Sequence, residues 1–101
     1  RGLAPAAQAR GMKRSRFVMT GRVQGVGFRW FVKAEARPLG LTGWVRNRGG
    51  GAVEGEVEGR DDAVEALVPC LEEGPSSAIV TNVEISETSD EGQHYKQFEI
   101  R

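Results

Sequence analysis

The chain has 101 residues with 14 basic and 14 acidic side chains, enough for one compact domain and too few for two. Hydrophobic residues are 39% and charged residues 28%, and no apolar run approaches the ~20 residues of a membrane helix, which excludes disordered, collagen-like and helical membrane classes. A single cysteine, Cys70, and a single histidine, His94, give no internal disulfide and no Cys/His zinc cluster, so a reduced cytoplasmic setting and no metal are expected.

Residues 1–15, RGLAPAAQARGMKRS, show neither strand nor helix period and are expected to form a flexible N-terminal extension to a domain spanning 16–101. No apolar stretch precedes the Ala-rich run, so it does not read as a signal peptide, and Met12 is a candidate start. From Arg16 the alternation of Phe17 and Met19 with Val18 and Thr20 predicts a strand ending near Val23. A glycine-studded loop, Gln24-Gly25-Val26-Gly27, leads into a stripe of Phe28, Phe31, Val32, Ala36 and Leu39, the spacing of an amphipathic helix. Pro38 and Gly40 end that helix between Arg37 and Leu39.

Two strands, 41–48 and 52–59, flank Gly49-Gly50-Gly51, a triplet suited to a tight hairpin. In the second of them Val53, Gly55 and Val57 face one way and Glu54, Glu56 and Glu58 the other, so one side is wet or paired with neighbouring arginines. Asp61 is the expected N-cap of a second helix carrying Val64, Leu67, Val68 and Leu71, which Pro69 is expected to kink or shorten. Ile79 to Ser86 alternates as a strand, 87–95 reads as a polar loop, and Phe98 with Ile100 forms a short last strand. The order predicts an α+β fold: a ferredoxin-like split βαβ sandwich with a short extra C-terminal strand, an antiparallel-dominated sheet and two helices on one face.

The zero net charge argues against nucleic-acid binding by bulk electrostatics. Its distribution is uneven, because residues 1–53 hold 11 basic side chains against Glu35 alone, while 54–101 hold 3 against 13 acidic. Either a basic anion-binding face or pairing of the two halves on folding accounts for this. The loop 24–27 at a strand-to-helix junction suits an anion, since its backbone amides converge at the positive end of a helix and Arg29, in the first turn, can reach back to the same group. A tight turn with a solvated arginine is the plainer reading. Neither a Walker loop nor a dinucleotide fingerprint fits: no Gly-Lys-Ser/Thr is present, and Trp30 stands where the third glycine would be. Asn47, beside the hairpin, is either a turn former or an amide that holds a water by its oxygen and donates to a substrate oxygen.

GRVQGVGFR at 21–29 with GWVRNRGGGAVEGEVEG at 43–59 resembles the acylphosphatase family from about Arg16 to Arg101. The resemblance implies a cofactor-free hydrolase of carboxyl-phosphate anhydrides with a small acyl phosphate as its partner, while the small, neutral chain without an evident apolar patch is compatible with a monomer. It further implies that phosphate is bound by the loop through Gln24, Gly25, Val26, Gly27 and Phe28 together with Arg29, and that Asn47 positions the attacking water. Acylphosphatase-like domains also occur inside larger maturation enzymes, so a domain that binds phosphate without turnover is the second reading.

The residue inventory agrees with such chemistry. Neither segment holds a histidine, thiol or lysine, hence no general acid, and an acyl phosphate expels a carboxylate that leaves without one. Arg22, Arg46 and Arg48 are expected at strand ends, steering an anion or pairing with Glu54, Glu56 or Glu58. Trp30 and Trp44 are expected to pack, and Cys70 and His94 to play no part in catalysis. An RNA-binding module is disfavoured, because a central strand reading AVEGEVEG offers no aromatic platform.

Overall fold

The computed structural model describes residues 12–88 and 94–101. Along the chain run β1 (Met12–Arg22), α1 (Phe28–Ala36), a 3₁₀ turn (Arg37–Leu39), β2 (Thr42–Asn47), β3 (Val53–Arg60), α2 (Asp61–Glu73), β4 (Ile79–Glu87) and β5 (Phe98–Ile100). The sheet order is β4-β1-β3-β2-β5. Every pairing is antiparallel except β2 with β5, which is parallel, so the ferredoxin-like split βαβ sandwich and its added terminal strand are present as expected.

One face of the sheet carries Phe17, Met19, Val45, Val53, Val57 and Phe98, buried against Phe28, Val32 and Ala36 of α1 and Val64, Leu67 and Leu71 of α2. Each such side chain contributes about 1.5–3 kcal/mol on burial, which holds both helices on that side. Among the described residues no helix covers the other face. Its central strand presents Glu54, Glu56 and Glu58, as period-two alternation requires, and these are covered by arginines instead of solvent.

Three expectations need correction. Residues 12–15, assigned to the flexible extension, belong to β1, because Met12 to Ser15 pair with Arg60 to Val57 of β3 and Arg14 and Ser15 are buried. Residues 1–11 of that extension, and 89–93 of the polar loop, lie outside the described residues. Asp61 does not cap α2 but opens its first turn, with Arg60 as the capping residue in extended conformation. Nor does Pro69 shorten α2, which runs on to Glu73. Pro69 sits on the exposed side, so the Glu65 carbonyl that loses its helical donor can turn to water.

Candidate active site

β1 delivers the chain to the junction where α1 begins. Gly25 and Gly27 both adopt left-handed backbone, φ 75° and 79°, which a Cβ would disfavour although space around both is open. Gly27 is the N-cap of α1, no side chain bonds the cap, and no acidic residue stands in the first turn. The first helical bond runs from the Phe31 amide to the Gly27 carbonyl at 3.0 Å, so the amides of Phe28, Arg29 and Trp30 have no acceptor within the helix. An open, positive helix start results. Phe28 anchors it, buried in the core, with Val26 packed partly against the same cluster.

Arg29 is half-buried beside this start, and first-turn side chains lean toward the N-terminus. Its Nη1 donates to the Arg101 carbonyl at 3.3 Å, while the Arg101 amide donates to the Val45 carbonyl of β2 at 2.8 Å. The guanidinium is thereby placed at the end of β5, next to the strand that carries Asn47. Asn47 is the last residue of β2, exposed, and paired in register with the buried Val53. Since it lies two residues after the core residue Val45, Asn47 belongs to the helix-covered side of the sheet, the side on which α1 starts.

A second tie joins the loop to this strand. Gln24 Nε2 donates to the Arg48 carbonyl at 2.8 Å and to the Ala52 carbonyl at 2.9 Å, gripping the neck of the β2–β3 hairpin just past Asn47. Of the residues grouped with phosphate in the sequence, Gly25, Val26, Gly27, Phe28 and Arg29 gather at the helix start. The Gln24 side chain does not join them, because its donors are spent on the hairpin. The roles of Gln24 and of the Arg101 carbonyl had no local signal, since each joins elements distant in sequence.

The helix-free face is electrostatically closed. Glu54 accepts from Arg46 at 2.7 Å and Arg16 at 3.3 Å, with Arg48 at 3.9 Å. Burial pushes its carboxyl up, but Arg46 and Arg16 together outweigh this and hold it below the usual carboxylate range. Glu56 accepts from Arg16 and, at 2.6 Å, from the Tyr95 hydroxyl. Burial and that Glu56 bond raise the Tyr95 hydroxyl. Arg46 and Arg48 thus follow the pairing alternative, and Trp44 is buried under Arg16, Arg46 and Arg101. Trp30, expected to pack, is instead 66% exposed on the first turn of α1, opposite the core stripe. His94 Nδ1 lies 2.7 Å from Glu58 Oε2, toward the other end of β3 and about 16 Å of strand away from Val53. Burial, then the contact with Glu35, push the Cys70 thiol up, so it stays protonated at neutral pH. No group of three His, Cys, Asp or Glu among the described residues could hold a metal ion, and no helix among them is long and apolar enough to cross a membrane.

Comparison with known proteins adds to this geometry. Residues 15–100 match the acylphosphatase family. An acylphosphatase of Thiobacillus denitrificans is 49% identical over 90 residues, covering 89% of this chain and 98% of that protein, and one of Salinibacter ruber is 47% identical over 83 residues, 82% and 86% of the two chains. Among solved structures, an acylphosphatase from Coxiella burnetii superposes with a TM-score of 0.86 at 34% identity, over 98% of this chain and all of that one.

Proposed function

The chain belongs to the acylphosphatase family, hydrolases of acyl phosphates, and we propose that it performs this reaction with Arg29 and Asn47 as its catalytic residues and the 24–29 loop as its phosphate cradle. The observation that carries the proposal is the convergence, at one end of the sheet, of an uncapped helix start free of acidic residues, Arg29, and the exposed Asn47.

In this reading the phosphoryl oxygens lie on the amides of Gly25 to Phe28 and take a charge-assisted hydrogen bond from Arg29. The Asn47 carbonyl oxygen accepts from a water and its NH₂ donates to a phosphoryl oxygen, holding the water in line with the anhydride. The water oxygen bonds phosphorus as the bond from phosphorus to the acyl oxygen breaks, and the carboxylate departs with the electron pair. The water proton passes to a phosphoryl oxygen, since an amide cannot take it. A carboxylate leaving group needs no proton at neutral pH, which fits a site built without histidine, cysteine or lysine. The reading carries a cytoplasmic monomer with it, supported by the single thiol and by exposed apolar side chains spread over three elements, Met12, Trp30, and Ile79 with Ile85.

Wild type, Arg29→Ala and Asn47→Ala are assayed on an aromatic acyl phosphate and a phosphomonoester without added metal, on protein whose sedimentation reads its size. The expected result is cleavage of the anhydride alone by a monomer, with each variant down about 100-fold or more, roughly 2.7 kcal/mol of transition-state stabilisation. A folded wild type that binds phosphate through Arg29 without turnover refutes the reading in favour of a binding domain.

A further inference from the structure

We propose that Gln24 is a positioning residue for the water-holding group: its carboxamide sets the distance between the phosphate cradle and Asn47. The inference rests on the reading of Arg29 and Asn47 above and adds the part that holds the two halves of the site in register.

A primary amide has two N–H donors, and the Gln24 nitrogen meets two carbonyls, those of Arg48 at 2.8 Å and Ala52 at 2.9 Å. These same residues close the hairpin, the Arg48 amide donating to the Ala52 carbonyl at 2.8 Å, so the Ala52 oxygen receives both bonds. Arg48 directly follows Asn47, and beyond it the hairpin tip is Gly49-Gly50-Gly51, exposed and with two left-handed glycines. Asn47 is itself exposed, so its placement depends on the backbone of the neck more than on packing around its side chain. Gln24 leads directly into Gly25, the first glycine of the cradle. One side chain thus starts at the cradle and ends on the neck of the hairpin.

The clamp requires donors and uses no acceptor. Methionine at this position keeps length and neutrality and removes both bonds. A shift of about 1 Å between the phosphorus and the water costs on the order of 100-fold in rate, whereas the cradle, built from its own backbone and Arg29, is left whole.

The test measures kcat, KM and the inhibition constant of inorganic phosphate for wild type, Gln24→Met, Asn47→Ala and the double variant, with thermal unfolding of each. The expected result is a kcat at least about tenfold lower in Gln24→Met with phosphate inhibition changed by less than about threefold, and a double variant no slower than Asn47→Ala alone. Should Gln24→Met fail to fold, Gln24→Leu serves in its place. A phosphate inhibition constant that rises as far as kcat falls overturns the inference, because Gln24 then serves the cradle. Losses that multiply in the double variant also overturn it, since Gln24 then acts through something other than Asn47. An Asn47→Ala protein as fast as wild type refutes the reading of the site itself and the inference with it, so the two failures are told apart by the Asn47→Ala rate.

Discussion

The two helices of this domain start in the same way and at opposite ends of the sheet. Each follows a strand, each lacks a side-chain cap, and the antiparallel pairing of β1 with β3 puts the start of α1 at one end and that of α2 at the other. Their first turns differ. α2 opens with Asp61 and Asp62, and Arg60 closes on Asp62 at 3.0 Å, so its positive end is neutralised by its own chain. α1 opens with Gly27-Phe28-Arg29, with no acid and an added cation. A helix start is a common device, and it becomes available to an external anion where the sequence supplies no internal one.

Placing an acid at the open end breaks this difference with the largest effect. Gly27→Asp and Gly27→Asn have nearly the same shape, both occupy open space, and both bear the strain of left-handed backbone, roughly 1–2 kcal/mol of stability. Only the first adds a carboxylate beside the amides. The expected outcome is an acyl phosphate kcat/KM about 100-fold or more lower for Gly27→Asp, on the scale of losing one oxyanion-hole donor, with Gly27→Asn losing far less. Equal losses in the two variants would show that backbone shape, and not the absence of a local anion, makes the cradle.

Much of the open helix start was legible in one dimension, because glycines, a following apolar stripe and an early arginine are local signals. So were the glutamate face of β3 and the end of α1 near Pro38. What escaped depends on partners far along the chain. Residues 12–15 look irregular by themselves, yet β3 supplies their hydrogen bonds and Glu58 the partner of Arg14. Trp30 is expected to pack because large aromatics usually do, but it falls on the outer side of α1, where the Lys33 Nζ lies 5.8 Å from its ring. Gln24 is grouped with phosphate through the loop amides, and the contact of its side chain with a hairpin 24 residues on has no local signal.

The helix-free face sharpens the comparison, for here too the chain answers its own charges, and at intermediate cost. Glu54 is buried among Arg46, Arg16 and Arg48, two of which are about half exposed. Glu54→Gln is expected to lower stability at pH 7 by about 1–2 kcal/mol, measured by urea unfolding, after allowance for the solvent around those arginines. The carboxyl is held below its ordinary range by Arg46 and Arg16 against the opposing effect of burial. Its contribution is therefore complete above the unfolded carboxylate pKa of about 4.3, and it is lost as pH falls through the lower folded value. Unfolding midpoints of wild type and Glu54→Gln should converge on acidification, and a gap that persists at pH 2 would refute this account.

The smallest effect is expected at the closed helix start. Asp61→Asn and Asp62→Asn each remove one charge from the first turn of α2, and each should cost about 0.3–1 kcal/mol at low ionic strength, shrinking in high salt because these residues are exposed. Neither substitution should change acyl phosphate hydrolysis, because this helix start lies at the end of the sheet away from Arg29 and Asn47. Nor should the double variant acquire phosphate binding in the manner of α1. Removing the acids exposes a helix start, but the amides of α2 follow Arg60 in extended conformation with no left-handed glycine directly before them. Phosphate titration of the double variant on an Arg29→Ala background isolates this end of the molecule. Saturable binding there would show that absence of local acid suffices by itself, and that the glycines and arginine of α1 add rate without being needed for capture.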